Sequence, residues 1–424
     1  MNAIRKLGAG TAKAQTGIIP ILVVLYFLQV LTPLRLHPDT VVLLSVAESV
    51  ARGNGFLYHG QTTVFPPGYP ALLALLMKLN IAHVWVMVGI SVAFLLLGLS
   101  AVCFILYPDF FSETRSALNV CIFSLLSFAV IKYSTIPLTD TCFFGVCMCS
   151  LAVMNSVASR VTWRKLLASA TLVVISLCIR RIGVVLVPPL LWILFSRSEA
   201  RLNIARLTAR MKVAIILVVT SASIAFAWVI HATSTLRDFK EVFAGRALKP
   251  SVLGILHFRL TELGEITVNL PAQALPSVTH HLLPIVGAIT SLLVCGGVFS
   301  RRKRFNTADI FFIGYVSILL VWPYCDTRFW LPVVPFLIAY AGLSFKCLMQ
   351  FGFWKPIPEA YAVVFAIMGV LTLVSSTAIS LSGSHFGDEY PEYHATYCAA
   401  GYCKAASGSL QIDEDGLHLL RTYK

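Results

Sequence analysis

The chain consists mainly of long apolar segments, and this feature restricts the possible folds more than any other. Most of the segments are near the roughly 20 residues that a helix needs to cross a bilayer. About eleven spans are predicted, at 17–34, 84–106, 117–136, 141–158, 166–179, 182–196, 213–231, 282–299, 308–323, 329–345 and 361–381. Only 12% of the 424 residues are charged, against roughly 25% in soluble domains. The sequence therefore predicts an all-α integral membrane protein with about 11 transmembrane helices.

Basic residues fall in alternate segments between the apolar runs, and this pattern orients the chain. With the N-terminus inside, the cytoplasmic segments hold many more Lys and Arg residues than the short loops of the other face, as the positive-inside rule requires. The cytoplasmic residues are Arg5, Lys6, Lys13, Arg115, Arg160, Arg164, Lys165, Arg197, Arg201, Arg206, Arg210, Lys212, Arg301, Arg302, Lys303, Arg304, Lys346 and Lys355. The net charge of +14 is thus interpreted as a topology signal and not as a nucleic-acid-binding surface.

This topology divides the chain into a multi-spanning domain, 1–381, and an external C-terminal tail, 382–424. Within the domain, the loops 35–83 and 232–281 face outside. The sequence has no Asn-x-Ser/Thr glycosylation acceptor, which fits a bacterial inner (cytoplasmic) membrane. The predicted localisation is therefore multi-pass in that membrane, with the external loops on the periplasmic face.

The hydrophilic stretches are too short to form a nucleotide-binding domain. None exceeds about 50 residues, whereas domains of that kind typically have more than about 100. The sequence also has no P-loop, no G-x-G-x-x-G motif and no Cys/His spacing typical of a metal site. A transferase built on this chain would therefore take its donor from the membrane, as a lipid-linked molecule.

The first external loop carries an acid, Asp39, at a membrane edge. Its residues 39–52 alternate between a polar side and an apolar side at helical spacing, which predicts a helix lying on the bilayer surface. Pro38 suits the first turn of that helix and Gly53 and Gly55 suit its end. Asp39 has two interpretations: it stabilises the positive end of the helix dipole, or it is a catalytic carboxylate.

A second short apolar segment, Val64–Leu79, follows in the same loop and is too short to span, which predicts another interfacial helix. The loop reads A-E-S-V-A-R-G-N-G-F and then F-P-P-G-Y-P-A-L-L-A-L. With the preceding acid, this order resembles the first external loop of the GT-C glycosyltransferases, which use polyprenyl-phosphate sugars, as protein mannosyltransferases and aminoarabinose transferases do. The resemblance implies that Asp39 is the catalytic base or lies next to it, and that Glu48 and Tyr69 belong to the substrate loop.

Three further patches resemble the same family. Asp140, in I-P-L-T-D, matches a second catalytic acid, although it also suits an N-cap. Arg180 and Arg181, in C-I-R-R-I-G, occupy an external turn where positive charge is unexpected; they bind a donor phosphate or extend to lipid headgroups. Arg328, in Y-C-D-T-R-F-W-L-P, is a donor-phosphate ligand or simply the ion-pair partner of Asp326.

The resemblance implies an inverting glycosyltransferase: a carboxylate deprotonates an acceptor hydroxyl while cations neutralise the leaving lipid phosphate. The acceptor is a glycan, a lipid or a protein. No cofactor is required with certainty, and a divalent cation stays possible. Some family members have two adjacent acids where this chain has a lone Asp39, so no metal ligands are assigned. Phe65 is a second departure, since other members carry a charged residue before the prolines.

Two other functions remain open: a polytopic lipid or glycan transporter (flippase), and a non-enzymatic subunit of an envelope assembly complex. For the latter, the stretch 388–393 would be the docking element.

In the same tail, Cys398 and Cys403 could pair in an oxidising compartment. In the loop 232–281, the mixture of charged and apolar residues predicts one or two helices that cover the site. Its His257, His280 and His281 have no spacing that closes a metal site and are interpreted as interface anchors.

Overall fold

The computed structural model describes residues 17–63, 65–159, 162–195, 252–322, 324–350, 356–390, 393–403 and 412–423. Within these ranges, helices account for all regular structure except one antiparallel hairpin, which pairs β1 (Leu57–Tyr58) with β2 (Gln61–Thr62). The predicted all-α class is confirmed. The predicted span 213–231 and the part 232–251 of the second external loop lie outside the described residues.

The α-helices agree closely with the predicted apolar runs. In chain order they are α1 (Gly17–Leu31), α2 (Pro38–Ala51), α3 (Gly68–Lys78), α4 (Val84–Leu106), α5 (Thr114–Leu125), α6 (Phe128–Ser134), α7 (Thr139–Ser159), α8 (Trp163–Ile179), α9 (Val187–Phe195), α10 (Val252–Val268), α11 (Leu283–Ser300), α12 (Thr307–Val321), α13 (Val334–Leu348), α14 (Pro356–Ser380), α15 (Phe386–Glu389), α16 (His394–Ala399) and α17 (Glu414–Thr422). Short 3₁₀ segments at Arg181–Leu186, Ser277–Leu282 and Thr327–Val333 lead into α9, α11 and α13.

Five described helical segments are long and apolar enough to cross a membrane, and a bent pair makes a sixth. They are Val84–Leu106, Thr139–Val157, Ser277–Ser300, Thr327–Leu348 and Pro356–Ser380. Each coincides with a predicted span. Other predicted spans correspond to shorter apolar helices, such as α1 and α12, so the full number of about 11 stays a prediction.

The predicted span 117–136 is broken in the middle. Helices α5 and α6 meet at an angle of 61°, which leaves backbone groups at the break without helical partners. Asn269 binds them: its Oδ1 accepts from the Phe128 N–H (2.7 Å), and its Nδ2 donates to the Leu126 carbonyl (2.9 Å). A buried side chain thus supplies the hydrogen bonds that a bilayer cannot.

Small residues allow the central helices to approach closely. A Cβ added to Gly98 of α4 would lie 2.5 Å from the Phe144 ring of α7, and one added to Gly145 would lie 2.6 Å from the Phe94 carbonyl oxygen. Glycine at both positions therefore permits the α4–α7 contact, as is common between helices in membranes. This contact fixes the start of α7, which carries Asp140.

The C-terminal tail packs directly on the segment around α2. The Tyr397 hydroxyl donates to the Leu34 carbonyl (2.9 Å) and accepts from the Leu36 N–H (2.7 Å). The Tyr423 hydroxyl donates to Glu48 (3.0 Å), so α17 covers the side of α2 that was expected to be polar. Cys398 and Cys403 form a disulfide, which confirms their predicted pairing.

The stretch considered as a docking element is partly occupied within the chain. The Tyr390 ring stacks on Phe386 with centroids 5.4 Å apart, and it meets the edge of Tyr397 at 5.7 Å. Of this stretch, Pro391 and Glu392 lie outside the described residues. The aromatic part of the tail therefore contributes to the tail's own packing.

Candidate active site

Helix α2 presents Asp39 in its first turn. The chain arrives extended at His37, whose Nδ1 accepts the Asp39 N–H at 3.2 Å, and Pro38 occupies the first helical position. The N-cap is therefore His37, and the Asp39 carboxylate points to another element. Its Oδ2 lies 2.5 Å from Nη2 of Arg328, in the 3₁₀ segment before α13.

Arg328 bridges two carboxylates. Besides the contact with Asp39, its Nε lies 3.0 Å from Oδ2 of Asp326. The other oxygen of Asp326 accepts from the Arg328 N–H (3.0 Å) and from the Tyr133 hydroxyl (2.7 Å). The pairing with Asp326 that the sequence offered as an alternative is thus present, and it coexists with a contact to Asp39.

A second ion pair joins Asp140 and Arg180. Asp140 lies inside the first turn of α7, one residue after the helix begins, and is fully buried. Its Oδ1 contacts Nη1 of Arg180, the C-cap residue that follows α8. Among the described residues, the other oxygen, Oδ2, has no hydrogen-bond partner. A buried carboxylate oxygen without a hydrogen-bond partner costs free energy, so its presence calls for an explanation.

Both ion pairs meet at Phe329. The guanidinium carbon of Arg180 lies 5.3 Å from the centre of its ring, and that of Arg328 lies 5.0 Å away. Four residues selected from distant parts of the sequence, Asp39, Asp140, Arg180 and Arg328, therefore form one cluster at one end of the helix bundle.

Sequence reasoning missed His37 as a member of the cluster. Burial lowers the pKa of its imidazole, and the neighbouring Arg328 guanidinium lowers it further. Since Nδ1 accepts a hydrogen bond, the neutral ring carries its proton on Nε2, which faces Oδ2 of Asp326 at 3.8 Å. In the sequence, His37 stands directly before a proline at the start of a predicted helix, and this position was the signal that could have identified it.

Helix α10 contacts Trp322 and the segment 324–330. Arg259 is buried, and its Nη2 donates to the carbonyls of Trp322 (2.8 Å) and Tyr324 (2.5 Å). Glu262 accepts from Nε1 of Trp330 at 2.8 Å. Helix α10, which lies in the predicted loop 232–281, therefore contacts the segment that carries Arg328, through residues that the sequence analysis did not single out.

The remaining predicted site residues are Glu48, Tyr69 and Arg181. Glu48 is more than two turns further along α2 and binds the tail through Tyr423. Tyr69 is buried, which raises the pKa of its hydroxyl. A Cβ on the preceding Gly68 would lie 2.7 Å from the carbonyl oxygen of Cys178, so the start of α3 abuts the end of α8. Arg181 follows Arg180 directly in the sequence and is half-buried.

A cleft of about 780 Å³ opens beside the cluster. His37 and Pro38 form one wall. The tail forms the other, with Tyr393, Thr396, Ile412, Asp413 and Glu414. His37 thus borders both the cleft and the ion pairs.

The cluster does not offer a metal site. Its carboxylates are engaged by guanidinium groups: Arg328 contacts Asp39 and Asp326, and Arg180 contacts Asp140. In the described part of the chain, only His394, Cys398 and Cys403 bring three metal-type ligands together, and the two sulfurs form the disulfide. The residues present therefore do not fit a divalent cation, and no step is assigned to one.

Comparison with known proteins identifies the fold. No protein-family model and no curated protein matches the sequence. Among solved structures, ArnT from Cupriavidus metallidurans in the apo state is similar, with a TM-score of 0.53, 14% identity and coverage of 98% of this chain and 85% of that one. The same protein bound to undecaprenyl phosphate gives 0.52, 13% identity and coverage of 96% and 84%.

A third similar structure is the oligosaccharyltransferase of Archaeoglobus fulgidus in complex with Zn and sulfate. Its TM-score is 0.50 at 12% identity, with coverage of 95% of this chain and 61% of that one. Both proteins are GT-C membrane glycosyltransferases. The chain has the GT-C fold, as the resemblance of its loops implied, and at these identities the likeness concerns the fold alone.

Proposed function

We propose that the protein is an inverting membrane glycosyltransferase that moves a sugar from a polyprenyl-phosphate donor to an acceptor hydroxyl. The observation that carries the proposal is the meeting of Asp39–Arg328 and Asp140–Arg180 around Phe329. Carboxylates beside guanidinium groups supply both requirements of the reaction, a base for the acceptor and cations for the leaving phosphate. The GT-C fold and the ArnT structure that binds undecaprenyl phosphate support this choice of donor.

Exposure separates the roles of the two carboxylates. The Asp39 side chain is 28% exposed, whereas that of Asp140 is completely buried. An acceptor can reach Asp39 without any rearrangement, so Asp39 is the general base. Asp140 holds the Arg180 guanidinium at the cluster and compensates part of its charge.

Arg180 and Arg328 bind the donor phosphate. A guanidinium offers five N–H donors, and the contacts to the carboxylates use only Nη1 of Arg180 and Nη2 and Nε of Arg328. Donors remain for phosphate oxygens in both side chains. Arg181 adds positive charge at the same turn.

In the reaction, the Asp39 carboxylate takes the proton of the acceptor hydroxyl. The acceptor oxygen forms a bond to the anomeric carbon while the bond from that carbon to the phosphate oxygen breaks. The electron pair leaves with the polyprenyl phosphate, whose charge Arg180 and Arg328 stabilise. A single displacement of this kind inverts the configuration of the sugar carbon.

The site faces the oxidising side of a cell membrane. The tail that carries the Cys398–Cys403 disulfide is hydrogen-bonded to Leu34 and Leu36, next to the cluster. Disulfides persist in compartments such as the bacterial periplasm. The basic segments predicted for the cytoplasm support the same orientation.

The proposal is tested with purified protein in lipid nanodiscs. Undecaprenyl-phosphate hexoses and pentoses are supplied with a membrane extract as the source of acceptor, and released undecaprenyl phosphate is measured by mass spectrometry. We expect Asp39→Asn to reduce release by at least ~100-fold, because it removes the base but keeps the shape of the side chain. Asp388→Asn, an exposed tail position, is the control. Release by Asp39→Asn within a few-fold of the unmutated protein would refute the assignment of Asp39.

A further inference from the structure

The cleft beside the cluster has the dimensions of a ligand site. Its volume of about 780 Å³ falls within the ~300–1,000 Å³ of typical small-molecule pockets. The part of the tail that lines it comes from two separate segments, one around Thr396 and one at 412–414. Any ligand in the cleft would lie between the tail and the start of α2.

Both walls of the cleft are fixed by hydrogen bonds. Thr396 accepts from the Asp413 N–H at 3.1 Å, which joins the two tail segments. Tyr397 joins the tail to the chain just before α2, through Leu34 and Leu36. Asp415 accepts from the Tyr58 hydroxyl at 2.8 Å. The cleft is therefore preformed, which lowers the entropy cost of binding.

The cleft borders His37, which lies two residues before the proposed base. His37 also accepts the Asp39 N–H. A molecule filling the cleft would therefore end next to the residue that must remove its proton. A lipid donor, in contrast, would approach from the spans that carry Arg180 and Arg328.

The charge of the lining discriminates between acceptors. Asp413 and Glu414 carry two formal negative charges, and no Lys or Arg lines the cleft among the described residues. His37 is held neutral at neutral pH by burial and by Arg328, which lower its pKa. Carboxylate oxygens accept hydrogen bonds from sugar hydroxyls and ammonium groups, whereas they repel a phosphate.

We propose that this cleft is the acceptor site, and that it takes a saccharide that is uncharged or bears amino groups but carries no anionic group. The inference rests on the proposed function and adds to it the class of acceptor. The tail thereby determines specificity, and the helical bundle supplies the chemistry.

The test uses two probes that differ by one anionic group: a neutral oligosaccharide and the same oligosaccharide with one phosphate monoester. Their equilibrium binding to the full-length protein in nanodiscs is measured directly. We expect the neutral probe to bind at least ~5-fold more tightly, the effect of one unit-charge repulsion near 4 Å in water. In Glu414→Lys the preference should disappear or reverse, whereas in the control Asp388→Lys it should persist.

A second variant tests the position of the cleft. Ile412→Trp adds a large ring at an exposed lining residue, so it should weaken binding of the neutral probe at least ~5-fold, as one lost contact of about 1 kcal/mol would. The free energy of unfolding should stay unchanged, which shows that the variant folds. If neither Glu414→Lys nor Ile412→Trp affects the binding of either probe while the unmutated protein consumes the donor, the cleft is not the acceptor site. If these variants alter probe binding but the unmutated protein never consumes the donor, the proposed reaction fails and the saccharide site stands.

Discussion

Two arginine–aspartate clusters lie near opposite ends of α12, and they differ in how far their hydrogen-bonding groups are satisfied. Near the start of the helix, Asp309 is fully buried and both of its oxygens are satisfied. Its Oδ1 accepts from Arg301 (2.9 Å) and Tyr340 (2.7 Å). Its Oδ2 accepts from Arg301 (3.0 Å) and from the Asn306 N–H (2.8 Å).

The cluster beyond the other end of α12 is not saturated. Asp140 has a buried oxygen without a described partner, Asp39 is partly exposed, and one guanidinium, Arg328, serves both Asp39 and Asp326. In the Arg301 cluster, by contrast, one guanidinium, that of Arg301, pairs with one carboxylate, that of Asp309. A saturated pair stabilises the fold, whereas an incomplete one can still bind a ligand.

The largest expected effect is loss of stability on breaking the saturated pair. Asp309→Ala leaves Arg301 buried without its counter-ion and removes four hydrogen bonds, so we expect the free energy of unfolding to fall by about 5 kcal/mol. Chemical unfolding in detergent measures it, with Asp388→Ala as the control. Donor turnover per folded molecule should be unchanged. Normal stability combined with lost turnover would make this cluster a functional site and invalidate the comparison.

The saturated pair also shows what the sequence could not reveal. The capping box that begins α12, Asn306 with Asp309, is a local pattern. The contact of Asp309 with Tyr340, however, joins residues 31 positions apart, and no spacing rule predicts it. Sequence alone placed Arg301 only among the cytoplasmic basic residues.

Helix positions were predictable because the bilayer imposes a length and an apolar composition on each span. The run 84–106 became α4 with the same bounds, and Pro38 begins α2 as expected. The break between α5 and α6 was not predicted, because Asn269, which stabilises it, lies 141 residues from Phe128. Local pattern determines helices, and distant side chains determine where they bend.

The sequence selected residues that lie together, but it did not predict their contacts. Asp39, Asp140, Arg180 and Arg328 were found through motif resemblance, and they do meet. Their pairing depends on how separate helix ends come together, so it could not be derived from spacing. The tail wall of the cleft was missed because Tyr397 acts on residues more than 360 positions earlier.

The second-largest expected effect separates the contribution of Arg180 to stability from its proposed contribution to phosphate binding. Arg180→Ala leaves Asp140 buried without its partner, so we expect a loss of about 3 kcal/mol in the free energy of unfolding, at the lower end for buried pairs because the Arg180 side chain is 15% exposed. Adding Asp140→Asn removes the orphaned charge and should restore most of that stability. Binding of undecaprenyl phosphate should stay weak in the double variant, because the phosphate ligand is still missing.

The control for that experiment is Arg302→Ala, an exposed arginine beside the saturated cluster, which should bind undecaprenyl phosphate normally. Two results would count against the phosphate role of Arg180. One is recovery of lipid binding together with stability in the double variant. The other is an equal loss of binding in Arg302→Ala.

The smallest effect concerns His37, which belongs to the unsaturated cluster. Its pKa is lowered by burial and by Arg328, so the folded protein favours the neutral ring. Its contribution to stability is present above the ordinary histidine pKa of about 6.5. It is lost as the pH falls below that value, because the unfolded chain then binds a proton more readily. Protonation of the folded protein removes the Nδ1 acceptor for the Asp39 N–H, so turnover should fall only at a lower pH than that at which stability begins to fall.

His37→Asn keeps an N-cap acceptor that does not titrate. Below about pH 6.5, its unfolding free energy should therefore depend less on pH than that of the unmutated protein, and its turnover should fall less at the lower pH. Parallel stability profiles for the two proteins would mean that folding does not lower the pKa of His37, and parallel turnover profiles would mean that His37 has no part in positioning Asp39.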